Sequence, residues 1–382
     1  MSRWNQYGLP LLLALCSTLL VTVMGLVAED LLPAAVVQII VFFVLLFLFL
    51  LVGLLQLRYL WRRNTSGTLY YLRADSSRVP SLHQAAIAAA AEETQDLCAV
   101  RRTFSTATDD GVVDLRETVA EVRAIFDAAL NGDSSDSGYS VVPDFAWPIA
   151  VAIGYDWLPR AGTRLLAVDD HHPTAAFSYP APPPHTPGAR ATTPFTPLPT
   201  VMHAQIVDKA AVVLPDGPAE DTAAQHIRLI IIVSRGDMAE MMDATSAPGR
   251  RLTALELADT GGRFPTFAVG YGTSPDAPTL ELRGDGNGGH DLRAAADQLT
   301  DAIRTYLDRF PHARIELVLD APDIVSLAVG WRLANPADAG MRSRIWEFWD
   351  RAIPLYGDVA PTGEPRVVAL WAHPAQAEPP PR

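Results

Sequence analysis

Lysine is almost missing from this chain: Lys209 is the only one, and the other basic side chains are arginine. Basic charge is scarce overall, with 30 Lys plus Arg against 43 Asp plus Glu and a formal net charge of −13. A protein that binds DNA or RNA polymers needs an extended basic face to release counterions, so the balance argues against that partner. It leaves room for a small anion in a local pocket, where backbone N–H groups and one or two arginines suffice. Cysteine is scarce too. Cys16 lies in an apolar run and Cys98 in a helix-like pattern, so no disulfide framework is expected and a reducing cytosol suits the chain. Bulky Leu15 directly before Cys16 argues against a lipid-modified cysteine. Metalloprotease HExxH, hydrolase GxSxG and Walker A motifs are all absent.

Apolar sequence is plentiful, at 49% of 382 residues, and much of it is at the front. Leu9 to Ala28 and Leu32 to Leu57 are two runs that each reach the roughly 20 residues a bilayer core requires. Only a short acidic loop, Glu29-Asp30-Leu31, joins them, which predicts a hairpin over residues 1–60. Arg3 precedes the first run, and Arg58, Arg62 and Arg63 follow the second. The positive-inside rule then places both termini in the cytoplasm of a multi-pass inner-membrane protein. Trp4, Tyr7, Tyr59 and Trp61 fall where interfacial aromatics belong. A cleaved signal peptide is the rival reading of the first run, but Leu26 occupies a position where cleavage wants a small residue.

The rest of the chain reads as a connector with one helix (61–110), a first α/β half (111–220), a second half (221–375) and a disordered tail (376–382). Ser81 opens a pattern read as helical through Arg101. Leu115, Val119, Val122, Ile125, Phe126 and Leu130 share one face of an amphipathic helix. Residues 141–159, VVPDFAWPIAVAIGYDWLP, then resemble residues 318–336, VLDAPDIVSLAVGWRLANP. Each runs strand, Pro-Asp (143–144 and 322–323), helix, Gly-aromatic (154–155 and 330–331), proline. A further strand is expected after each, at 164–170 and at 344–350. Strands alternating with helices call for a parallel sheet, and the repeat predicts two fused Rossmann-like units. Proline-rich residues 173–199 fit neither a helix nor an inner strand. Residues 227–234, IRLIIIVS, form a run that is apolar but for Arg228 and the closing Ser234, suited to a buried parallel strand.

Candidate chemistry is thin. Gly284–Gly289 matches GxGxxG, but it lies deep in its unit and reads as a turn rather than a dinucleotide site. Asp169-Asp170-His171-His172 has ligand types without a completing shell, so no metal is expected, and no cofactor. His290 reads as a helix cap. The strand-to-helix corners are the better candidates, because helix amino ends suit phosphates. There Asp320, Ala321, Pro322, Asp323 and Ser326 face Pro143, Asp144 and Trp147 across a crevice. Ser234 and Arg235 follow the 227–234 strand and add donors. Trp147, with Trp346 and Trp349, offers base stacking or, alternatively, packing. Asp144, Asp320 and Asp323 are negative and would read base or ribose donors.

With these residues in view, the second half resembles the SAVED domain (SMODS-associated and fused to various effectors). The resemblance rests on IIIVS at 230–234, the long helix before IELVLDAPDIVSLAVGWRL at 315–333, and RIWEFWD running to Tyr356. It covers about residues 227–356. It implies two CARF-like halves that bind a cyclic di- or trinucleotide made by a bacterial CD-NTase in CBASS antiphage defence. It also implies ligand-driven homo-oligomerisation and activation of a fused effector, here the hairpin acting on membrane lipid. Asp320 to Ser326, with Ser234 and Arg235, are the ligand-binding positions it carries over. Nuclease activity is not carried over, since no such motif is present. Two other classes stay open on the residues alone: a membrane-tethered Rossmann-like enzyme such as a ring nuclease, and a protein-binding scaffold.

Overall fold

The computed structural model describes residues 67–376 apart from 77–81, 94, 106–111, 134–138, 158, 160–162, 169–172, 179–200, 208–209, 215, 220–223, 233–263, 272–291, 336–346 and 360–364. It also describes helical residues 43–44, 47–48, 50–51 and 53–55. The first apolar run and most of the second lie outside that set. No helix among the described residues is long and apolar enough to cross a membrane. The helical residues of the second run do leave Phe43, Phe47, Leu50, Leu54 and Leu55 more than half exposed.

Thirteen described strands form two sheets. The first contains β1 (Thr68–Ser76), β2 (Asp96–Phe104), β4 (Tyr139–Phe145), β5 (Arg164–Val168) and β6 (Pro173–Ser178), in the order β2-β1-β4-β5-β6. The second contains β3 (Val112–Asp114), β7 (Val201–Val207), β8 (Ala210–Val213), β9 (His226–Ile232), β10 (Thr266–Tyr271), β11 (Arg314–Asp320), β12 (Ala352–Val359) and β13 (Pro365–Trp371). Its order is β3-β13-β12-β11-β9-β10-β7-β8. Helices α1 (His83–Glu92), α2 (Arg116–Gly132) and α3 (Trp147–Asp156) serve the first sheet. Helices α4 (Leu292–Arg309), α5 (Asp323–Ala334) and the short α6 (Glu347–Arg351) serve the second.

The duplication is visible in the strand order. In the first half β2, β1, β4 and β5 are parallel and β6 closes the edge antiparallel. In the second, β10, β9, β11 and β12 are parallel and β13 closes antiparallel. Each helix between consecutive parallel strands has a counterpart, α2 with α4 and α3 with α5. The architecture is α/β, two Rossmann-like parallel-sheet units. Period-two burial builds each sheet. Ile227, Leu229 and Ile231 face the core shared with α4 and α5, while Ile230 and Ile232 face the opposite side with Val318 and Leu355.

Several expectations are revised. The connector expected over 61–110 contains β1 and β2, both strands of the first unit. The helix opening near Ser81 ends at Glu92, and residues 96–101 are strand. Leu97, Val100 and Phe104 recur at helical spacing, which hid a strand whose alternate residues Cys98, Val100 and Phe104 meet the main core. The aromatic run near Trp349 begins with α6, and the strand follows it as β12. β3, β7 and β8, placed by sequence in the first half, extend the second sheet. β6 is an edge strand that opens on Pro173, where no ladder donor is needed. Gln376, assigned to a disordered tail, is buried, and its side-chain oxygen accepts from the backbone N–H of Ala372 and His373 at 2.6 and 2.8 Å.

Candidate functional site

The two halves meet through α3 and α5, the most extensive helix contact among the described elements. Both helices are buried nearly all round. They approach at Gly154 and Gly330. A Cβ on Gly154 would collide with the Leu327 carbonyl oxygen and stand 2.9 Å from its carbonyl carbon. A Cβ on Gly330 would collide with the Val151 carbonyl oxygen and stand 2.9 Å from the Tyr155 nitrogen. The two contacts are related by one sequence separation, Gly154 to Gly330 and Val151 to Leu327, so the halves are equivalent about this crossing. The same separation relates the N-cap residues Ala146 (φ −60°, ψ 134°) and Pro322 (φ −56°, ψ 147°). It also relates Asp144 to Asp320. The Pro-Asp pairs are therefore not equivalent: Pro143 sits inside β4, whereas Pro322 caps α5.

The amino ends of the two helices are neighbours. The backbone N–H of Phe145, at the end of β4, donates to Asp323 Oδ2 at 3.1 Å. Asp323 is the first residue of α5, where a carboxylate also suits the helix dipole. Since the helices touch here and again at their glycines, they run in the same sense, and both strand-to-helix corners open to one side. A second tie joins the halves nearby: the Tyr356 hydroxyl of β12 donates to Asp75 Oδ1 of β1 at 3.4 Å, with both residues buried.

Asp144 and Asp320 differ sharply. Asp144 Oδ2 accepts from Arg73 Nη1 at 2.7 Å, from the Tyr71 hydroxyl and from the Leu82 backbone N–H at 3.3 Å. The Arg73–Asp144 pair is 5% exposed on each side, which marks a closed internal site. Burial works against the charged Arg73, but its hydrogen bond to Asp144 outweighs this and holds its pKa above the usual guanidinium value. Tyr71 and Arg73 come from the stretch read as connector, so the sequence pattern held no sign of this cluster. Asp320 is half-buried. Its strand neighbour across the β11–β9 ladder is Ile232, in the position that Arg73 holds beside Asp144. Ile230 likewise replaces Tyr71.

Other candidate residues are placed as follows. Ser326 is fully buried, and its hydroxyl has no hydrogen-bond partner among the described residues. Ala321 and Pro322 form the corner itself, and Pro322 accepts the backbone N–H of Val325 and Ser326, both at 2.9 Å. Trp147 is buried at the start of α3. Pro148 follows it, so the amino end of α3 offers fewer N–H donors than that of α5. Trp349 is packed, stacked on His373 with centroids 4.8 Å apart and edge-on to Tyr155. Ser234, Arg235, Trp346, His290, the glycine-rich residues 284–289 and residues 169–172 lie outside the described residues. Among the described residues no group of three or more His, Cys, Asp or Glu is placed to hold a metal ion.

No protein-family description matches this sequence, and no curated protein matches it either. Among solved structures the chain is similar to the Acinetobacter baumannii Cap4 SAVED/CARF-domain containing receptor with the cyclic trinucleotide 2'3'3'-cAAA. Identity is 10% and the TM-score 0.37, over 83% of this chain and 53% of that one. The same receptor with 3'3'3'-cAAA matches at 12% identity and TM-score 0.32, over 80% and 51%. The receptor described without a nucleotide matches at 10% and 0.30, over 90% and 61%. The chain thus spans between about half and three fifths of the length of these structures. The two-unit architecture rests on the strand order and the α3–α5 crossing, independently of these scores.

Proposed function

We propose that this protein is a membrane-anchored sensor that binds a cyclic oligonucleotide, a di- or trinucleotide, where the amino ends of α3 and α5 adjoin. The hydrogen bond from Phe145 N–H to Asp323 carries this reading, because it sets the two corners side by side. Open α/β sheets bind ligands outside the carboxyl ends of their strands, at the point where strand order reverses. Here such points fall between β1 and β4 and between β9 and β11. A cyclic oligonucleotide matches a paired site of this kind, with phosphates for helix amino ends and bases and riboses for side-chain acceptors. The resemblance of residues 227–356 to the SAVED domain supports the same ligand class.

The output in this proposal is assembly. Ligand favours a stacked form only by its differential affinity for that form. Stacking gathers the two apolar runs of neighbouring copies, and their concentration in one patch of bilayer disrupts the inner membrane as a CBASS-type defence. Support for the anchor comes from the length and flanking charges of the runs, and from the exposed apolar side chains between Phe43 and Leu55. The ligand is bound and released intact.

The test uses the full chain in lipid nanodiscs and a panel of cyclic di- and trinucleotides of adenosine and guanosine. One member is expected to bind and be recovered unchanged, and, with the same chain solubilised in detergent in a parallel run, to raise its sedimentation coefficient. Absence of binding across the panel, or cleavage of the bound nucleotide, would contradict the proposal.

A further inference from the structure

The two corners of the site are equivalent in backbone and opposite in chemistry, and this deepens the functional reading on which it rests. In the first half, Asp144 is consumed by Arg73, Tyr71 and the Leu82 N–H. All three donors reach Oδ2, and the residue is only 3% exposed, so this carboxylate is already neutralised and closed off from a ligand. In the second half the same strand position is Asp320, and the two residues that would neutralise it are Ile230 and Ile232, which cannot donate a hydrogen bond. Among the described residues the Asp320 carboxylate has no hydrogen-bond or ion-pair partner.

Ser326 supplies a second, separate observation. It lies one helical turn before Gly330, hence on the face of α5 that meets α3. Helix side chains tilt toward the amino end, so from inside the α3–α5 contact its hydroxyl leans toward the paired corners. It is fully buried and unpartnered among the described residues, and leaving a buried hydroxyl unpaired is unfavourable. Its counterpart on α3 is Ala150, which carries no polar atom. The polar side chains therefore belong to one half only.

We infer that ligand recognition is one-sided. Asp320 accepts from a donor on one nucleotide, an exocyclic base amine or a ribose hydroxyl, while Ser326 pairs with an adjacent polar atom of the same unit. The first half contributes backbone and apolar contact, and its Asp144 cluster serves as a built-in plug. The ligand then binds once per chain in a single orientation, even when its own ring is symmetric.

The experiment is a calorimetric titration of the full chain with the cyclic adenosine and guanosine panel. It compares the unaltered protein with Asp320→Ala and Ser326→Ala. Whichever member binds the unaltered chain is also tested as an analogue lacking its base amine, and as one lacking the 2'-hydroxyl where that is free. Asp320→Ala is expected to weaken binding at least tenfold with an unchanged melting temperature. The analogue missing the contacted donor should lose a similar factor on the unaltered chain and little more on Asp320→Ala. Stoichiometry should be one ligand per chain. If a panel member binds and neither substitution nor analogue changes its affinity, the one-sided assignment is overturned while the sensor reading stands. If nothing in the panel binds the unaltered chain, both fall. Should Asp320→Ala fail to fold, the analogue series alone decides: no loss with any analogue overturns the assignment.

Discussion

Gly330 lies against Val151 so closely that the helices of the two halves touch main chain to main chain. Only hydrogen fits at either crossing glycine, because the obstructing atoms are backbone and cannot move aside as a flexible side chain would. Gly330→Ala and Gly154→Ala are each expected to destabilise by about 3 kcal/mol or more, at the upper end of overpacking effects. Gly132→Ala, at the end of α2 with nothing within 4 Å of its would-be Cβ, should be neutral or slightly stabilising. Chemical denaturation of the three variants checks this.

The Asp144 plug predicts an asymmetry between single and double substitution. Asp144→Ala strands a buried Arg73 and should cost about 3–5 kcal/mol. Pairing it with Arg73→Met removes the stranded charge and should recover a large part of that loss. A double variant no more stable than Asp144→Ala would show that the pair is not the dominant interaction.

Arg351 acts as a cap on a helix it does not belong to. Its guanidinium donates to the carbonyls of Leu307, in the last turn of α4, at 3.2 Å, of Phe310 just past the helix end, and of Ala313 directly before β11 at 3.0 Å. The last carbonyls of a helix lack an intrahelical donor, Leu307 is in that last turn, and a cation suits that end of the dipole. Arg351→Ala is expected to cost about 2–4 kcal/mol in a thermal or denaturant melt, charge-assisted bonds being worth about 1.5–3 kcal/mol each before overlap. Arg351→Lys should restore only part, since an ammonium lacks the planar fork.

Stability should fall on the acid side in two stages. His203 has its pKa lowered by burial. On acidification below its ordinary value of about 6.5, the unfolded chain takes up a proton that the folded chain refuses, so stability begins to drop there. Asp156 is held below the usual carboxylate range by its hydrogen bond with His373, against the opposing effect of burial and with help from Arg123. Burial pushes Glu316 up, but His226 and Arg228 outweigh it and leave the carboxyl below its ordinary value. The stability these two contribute is present above about pH 4.5 and is lost as the pH falls through their lowered values. Denaturation midpoints between pH 8 and 3 test the order. His203→Gln should shrink the first stage, to which His83, also lowered by burial, contributes, and leave the second.

Much of the fold was legible because its signals are local. Ile227 to Ile232 is an apolar run interrupted only by Arg228, and it forms most of β9 near the centre of the second sheet. Leu115, Val119, Val122, Phe126 and Leu130 repeat at helical spacing and bury one face of α2. The misreadings arose where tertiary context decides. β2 carries apolar residues at a spacing that suits either a helix or a strand. β3 is three residues long, too short for any period, and is a strand only because β13 pairs with it. Pro143 looked like a helix signal, yet it lies inside β4 beyond the residues paired with β5.

The candidate site was half visible. Strand, corner and helix were readable at both positions, and the glycines gave the true alignment of the repeats. The difference between Asp144 and Asp320 was not readable, because it depends on Tyr71 and Arg73 across a parallel ladder from a distant part of the chain. Nor did Ser326 stand out as unpaired before its burial against α3 was known.

Hydrogen exchange of the full chain, with and without the panel member that binds, tests the shared crevice most directly. The amides of residues 145–147 and 149, and of residues 321 and 323–325, should both slow when ligand is added, in the same sample and with the same concentration dependence. Slowing confined to one corner, or centred elsewhere in the two sheets, would contradict a single site formed by the paired helix amino ends.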